Sequence, residues 1–114
     1  MITRILFATL LSCALAAPAF AHAHLKVSDP AADSSGAAPK QLTLTFTEQL
    51  EPALSGVAVT NGKGQAMDAK AAVVSGDTMT IAVKPLSAGL YHVSWHAVSV
   101  DTHRTEGKYD FTVK

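Results

Sequence analysis

Hydrophobic and polar residues alternate along much of the chain after residue 22. In residues 41–47, Leu42, Leu44 and Phe46 share one face and threonines occupy the other, which is the period of a half-buried strand. Further runs with strand character are centred on residues 25–27, 57–59, 78–83, 90–100 and 109–113. Turn signals separate them at residues 29–30, 34–36, 61–64, 75–77 and 87–89. The pattern predicts an all-β domain of about seven strands, a Greek-key β-barrel or sandwich.

The first 21 residues follow a different pattern. Arg4 precedes an apolar run over residues 5–17, and Ala19-Phe20-Ala21 ends the segment with small residues. This order is typical of a cleaved secretory signal peptide, and the apolar run is shorter than the roughly 20 residues that span a bilayer. We expect cleavage after Ala21, ahead of a second site after Ala23 and a lipoprotein cut before Cys13. The predicted domains are therefore a signal peptide over 1–21 and an exported β domain over 22–114.

Composition narrows the possible functions. The chain has 114 residues, and its 9 basic side chains balance its 9 acidic ones, which argues against a nucleic-acid-binding protein. Its single cysteine excludes an internal disulfide and a Cys-rich zinc site. Loss of residues 1–21 removes Arg4 and Cys13 and leaves 93 residues with a net charge of −1. We expect this mature form to be a periplasmic monomer that does not span the membrane.

Two short motifs are candidates for metal binding. His22-x-His24 and Asp101-x-His103 each place two donors two residues apart, and in extended backbone such residues face the same side. Imidazole and carboxylate donors in a tetragonal arrangement favour Cu(II) or Ni(II). Cleavage after Ala21 would add the α-amine of His22, which ordinarily titrates near pH 8 and yields its proton readily to a metal.

Other candidate ligands are weaker. Met67 and Met79 are the methionines of the mature chain, and they stand far apart in sequence, which argues against a dedicated Cu(I) site. His92 and His96 are predicted to lie on the solvent face of a long strand. Trp95 is predicted to belong to the core.

Several segments together resemble the CopC family of periplasmic copper-binding proteins. The residues that carry the resemblance are His22–Lys26, Ser28–Ala31, Leu44–Glu48, Pro85–Tyr91 and Trp95–His103. The similarity covers the whole mature chain, and an Ala-Val-Ser-x-Asp-x-His stretch combined with an N-terminal histidine is a specific combination. It implies a cupredoxin-like or immunoglobulin-like β fold and a Cu(II) site at the N-terminus.

The resemblance also implies roles for individual residues. His22, through its amine and imidazole, would bind Cu(II) together with His24, Asp101 and His103. Glu48 falls at a family position near the metal, where it would orient the ligands, and a plain exposed glutamate is the alternative. Other members carry a Met-rich loop for Cu(I), which this chain lacks. Copper delivery to an inner-membrane transporter, buffering and import all remain open.

Four functions are compatible with these features. The sequence favours a Cu(II) carrier or buffer for copper homeostasis and resistance, rather than an enzyme. The alternatives are an oxidative copper enzyme with a histidine brace resembling that of lytic polysaccharide monooxygenases, a bare N-terminal peptide chelate, and a metal-free adhesion domain. In the peptide chelate, the amine, two backbone amides and His24 would bind the ion without Asp101 or His103.

Overall fold

A computed structural model describes residues 22–114, which form two four-stranded sheets. The first sheet has the order β1-β3-β6-β5 and consists of β1 (Leu25–Asp29), β3 (Gln41–Phe46), β6 (Thr78–Ala82) and β5 (Val73–Ser75). The second has the order β2-β8-β7-β4 and consists of β2 (Ser35–Gly36), β8 (Arg104–Val113), β7 (Gly89–Val98) and β4 (Gly56–Asn61). The predicted signal peptide lies outside the described residues.

The all-β prediction is confirmed, and the architecture is a sandwich. Over residues 22–114 the two sheets are not joined into a closed barrel, and they comprise eight strands, where the sequence predicted about seven. The extra strands are β2 and β5, which are two and three residues long. The prediction of a turn at residues 34–36 was wrong in part, because Ser35 and Gly36 pair in parallel with Thr112 and Val113 of β8.

Helical structure in residues 22–114 is confined to one 3-10 turn at Pro52–Leu54. No helix in that range has the length and apolar character needed to cross a membrane.

Alternating side chains from both sheets build one core. Leu42, Leu44 and Phe46 of β3 are at most 1% exposed, as the alternation predicted. Tyr91 and Val93 of β7 are buried opposite them, and Tyr109, Phe111 and Val113 of β8 complete the same layer. Burial of apolar surface stabilises the folded state by roughly 25 cal/mol per Å². It is the main stabilising contribution in this domain, which has no disulfide.

Trp95 packs against this core, which confirms its predicted place. Its ring centroid lies 5.0 Å from that of Phe46 in an edge-to-face arrangement. The opposing residue of β8 is Gly107, where an added Cβ would lie 2.5 Å from the indole ring. A glycine is therefore required at this position to make room for the tryptophan.

Candidate metal centre

Three segments meet at one end of the sandwich. They are the N-terminal segment (residues 22–24), the post-β3 segment (residues 47–50) and the β7–β8 loop (residues 99–103). The backbone N–H of Thr47 donates to the His24 carbonyl at 2.9 Å, and that of Val100 donates to the Gln49 carbonyl at 3.1 Å. The post-β3 segment thus joins the N-terminal segment to the loop that carries Asp101 and His103.

The β7–β8 loop brings Asp101 and His103 together by a tight turn. The Ser99 N–H donates to the His103 carbonyl at 3.0 Å, and the Thr102 N–H donates to the Ser99 carbonyl at 2.8 Å. Thr102 has a φ of +75°, a left-handed conformation that is uncommon for a β-branched residue. The Asp101 Oδ1 and His103 Nδ1 atoms lie 3.5 Å apart. The prediction of an extended backbone for this pair was wrong, but the turn also brings the side chains of Asp101 and His103 close together.

His22 lies close to both of the other histidines of the proposed site. Its ring centroid is 4.9 Å from that of His103 and 6.1 Å from that of His24, with interplanar angles of 74° and 70°. The two motifs, which are nearly 80 residues apart in sequence, therefore share one end of the fold. Their role as ligands stays a prediction.

The donor set suits Cu(II), although the side chains do not already form a metal cage. Across residues 22–114, no group of three or more His, Cys, Asp or Glu side chains is arranged to hold an ion. Binding would require rotation of side chains that already lie at one end of the sandwich. Met79 is fully buried in the core and Met67 packs against it, so the donors at this end are imidazoles and carboxylate. Imidazole and carboxylate ligands suit Cu(II), whereas soft sulfur ligands suit Cu(I), so this set fits Cu(II) better.

Asp101 is prepared to act as an anionic ligand. The buried Ser99 hydroxyl donates a hydrogen bond to Asp101 Oδ1, and this bond is the main reason why the carboxyl pKa lies below its ordinary value. Hydrogen bonds from the His103 backbone and side chain act in the same direction, while desolvation opposes them. The carboxylate therefore stays ionised under mildly acidic conditions.

Removal of the Ser99 hydroxyl should raise the pKa of Asp101. In Ser99→Ala, loss of the strongest hydrogen bond to the charged form should move the Asp101 pKa upward, toward the ordinary value of 3.8. The metal-free protein can be titrated by NMR at the Asp101 carboxyl carbon. Ser55→Ala is the matched control, because the Ser55 hydroxyl bonds to the backbone of Val98 instead. An unchanged Asp101 pKa in Ser99→Ala would contradict this account.

Glu48 is half-buried in the post-β3 segment, next to Thr47. Its carboxylate forms no hydrogen bond or ion pair within residues 22–114. The fold places it next to Thr47, which bonds to the N-terminal segment, and its orienting role also stays a prediction.

The remaining histidines lie on β7, outside the three segments of the proposed site. His92 is exposed on β7, and its Nδ1 lies 2.7 Å from Asp110 Oδ1 on β8. His96 lies over Gly56 of β4, where an added Cβ would be 3.0 Å from the imidazole ring. Both side chains point to the outer face of the second sheet, as the alternation predicted.

Sequence reasoning missed the residues that position the N-terminal segment. Ala23 is fully buried, and the Thr105 hydroxyl donates to its carbonyl at 2.6 Å. The Thr47 hydroxyl accepts from the His24 N–H at 2.9 Å and donates to the His22 carbonyl at 3.2 Å. The one available signal was a small apolar residue between two histidines, which is consistent with alternation into the core.

The chain matches a known family over most of its length. The model of the CopC domain matches residues 25–114. Copper resistance protein C of Xanthomonas campestris pv. juglandis is 41% identical over 107 residues, covering 86% of this chain and 84% of the relative. Copper resistance protein C of Escherichia coli is 43% identical, covering 84% of both chains.

Solved structures show the same fold. The crystal structure of CopC from Methylosinus trichosporium OB3b superposes with a TM-score of 0.75 at 31% identity, covering 82% of this chain and 94% of that one. PcoC, a methionine-rich copper resistance protein from Escherichia coli, gives a TM-score of 0.71 at 44% identity, covering 82% of this chain and all of its own. This chain, by contrast, has two methionines in residues 22–114.

Proposed function

Because the chain belongs to the CopC family of copper resistance proteins, we propose that its mature form binds Cu(II) in the periplasm and carries or buffers it. The observation that carries the proposal is the 4.9 Å approach of the His22 and His103 rings, which unites the N-terminal segment with the β7–β8 loop. Copper is the cargo, and His22, His24, Asp101 and His103 are the proposed ligands.

The position of the site suits exchange of the ion. The side chains of Asp101 and His103 are 45% and 39% exposed, so a bound ion would lie near the surface. A partner could then reach it without unfolding the domain. We propose an inner-membrane copper transporter as one recipient, with the protein acting as a monomer.

The packing of Ala23 supports cleavage after Ala21. Cleavage after Ala23 would remove a fully buried residue and the carbonyl to which Thr105 donates. It would also remove His22, the histidine whose ring lies near both of the others. Cleavage after Ala21 keeps these contacts and frees the His22 amine for the metal.

The secreted protein should therefore begin at His22 and bind one Cu(II) ion. Intact-mass measurement should give the mass of residues 22–114, and equilibrium dialysis should retain one equivalent of copper. A version with one extra alanine before His22 is the matched control, because it moves the amine away from the His22 imidazole. Absence of retained copper in the processed protein would overturn the proposal.

The structure offers no support for the oxidative enzyme. That chemistry on a polysaccharide needs an exposed aromatic surface, whereas the five Phe, Tyr and Trp residues of the described chain lie in or against the core. A proposed set of four ligating residues also leaves little room for oxygen at the metal. The named copper relatives are resistance proteins, which agrees with a binding function.

A further inference from the structure

The backbone of the N-terminal segment is held by threonines from both sheets. Thr47, directly after β3, makes three hydrogen bonds to it: its hydroxyl accepts from the His24 N–H and donates to the His22 carbonyl, and its own N–H donates to the His24 carbonyl. Thr105 of β8 donates to the Ala23 carbonyl from the opposite sheet. In each of the three residues of the segment, the backbone therefore takes part in at least one hydrogen bond with a threonine.

Burial of Ala23 adds a packing constraint to these hydrogen bonds. Its side chain has no exposed surface and belongs to the main core cluster. A residue fixed in this way holds the backbone on both sides of it, so His22 and His24 extend from a fixed segment rather than from a free chain end. Such preorganisation lowers the entropy lost when ligands converge on an ion.

The fixed backbone of the N-terminal segment affects which of two Cu(II)-binding modes can form there. A free chain with histidine in third place binds Cu(II) through the amine, two deprotonated backbone amides and the third imidazole. One of those amides belongs to His24. Its N–H lies 2.9 Å from the Thr47 hydroxyl, and a nitrogen that donates this hydrogen bond does not at the same time coordinate copper.

We propose that Thr47 is a positioning residue that selects coordination by side chains and the amine over the backbone-amide chelate. The inference rests on the proposed copper-binding function and specifies how the same site binds. By holding the His24 N–H in a hydrogen bond, Thr47 leaves the ion to His22, His24, Asp101 and His103. The Thr47 hydroxyl also donates to the His22 carbonyl, which keeps His22 near His103.

Thr47→Val removes the hydroxyl and preserves the shape of the side chain. In the copper-loaded variant, we expect the visible Cu(II) absorption to move to shorter wavelength, because deprotonated amides are strong-field donors. In the metal-free variant, hydrogen exchange at the His24 amide should be about tenfold faster, as expected for loss of one hydrogen bond. The second readout does not depend on copper.

Two controls separate the hydroxyl from general effects of substitution. Thr47→Ser retains the hydroxyl and should restore both the spectrum and the exchange rate. Thr45→Val makes the same change two residues earlier in β3, where the hydroxyl forms no hydrogen bond within residues 22–114, and should leave both unchanged. Thr47→Ala also lacks the hydroxyl and should reproduce the effect of valine.

The outcomes distinguish this inference from the proposed function. A copper-loaded Thr47→Val with the spectrum of the unaltered protein overturns the inference alone. An amide-chelate spectrum in the unaltered protein overturns it as well. Absence of copper binding by the unaltered processed protein overturns the proposed function, and the metal-free exchange experiment then still shows whether Thr47 holds the His24 amide.

Discussion

His103→Ala should lower the Cu(II) affinity of the processed protein by more than about 100-fold. Loss of an outer partner that merely orients a ligand typically costs about 10–100-fold in metal affinity, and loss of a ligand itself should cost more. The His103 side chain is 39% exposed, so its truncation should leave the fold intact. Competition against a chelator of known affinity measures the change, and circular dichroism verifies the fold.

His92→Ala is the matched control for this experiment. His92 is also exposed and also adjacent to a carboxylate, Asp110, but it lies on the outer face of the second sheet. Its removal should leave Cu(II) affinity unchanged. Equal affinities for His103→Ala and the unaltered protein would favour a chelate formed by the N-terminal segment alone, because that chelate needs no donor from the β7–β8 loop.

Phe46→Ala should destabilise the domain by about 3–5 kcal/mol, the usual cost of deleting a buried aromatic ring. Phe46 is 1% exposed and its ring packs edge-to-face on Trp95. Domains of this size have a total free energy of unfolding of about 5–15 kcal/mol, so the variant should lose much of its stability. Urea unfolding of the metal-free protein measures the difference.

Leu54→Ala is the control for this prediction. Leu54 is 56% exposed in the 3-10 turn, and substitutions at such sites change the free energy of unfolding by about 0.5 kcal/mol or less. Similar decreases in the free energy of unfolding in both variants would contradict the assignment of Phe46 to the core. Because Phe46 directly precedes Thr47, its loss should also loosen the N-terminal segment and weaken copper binding.

The long strands could be predicted from the sequence because their pattern is local. The alternation of Leu42, Leu44 and Phe46 requires one buried face, whatever the partner strands are. The same holds for β7 and for the C-terminal half of β8. β2 and β5 could not be predicted in this way, because two or three residues are too few to show a period. They are strands only by virtue of their pairing with β8 and β6.

Residue types alone determine which candidate donors are available: histidines in two short motifs, one nearby aspartate, and few soft ligands. Because donor chemistry depends on residue type, a preference for Cu(II) over Cu(I) can be predicted from the sequence without knowledge of the fold. Three features are decided only by the tertiary structure. His22 lies beside His103, and the β7–β8 loop turns at Thr102. Thr47 and Thr105 hold the N-terminal segment between the sheets. The contacts of His22, Thr47 and Thr105 join residues far apart in sequence, and no local pattern specifies them.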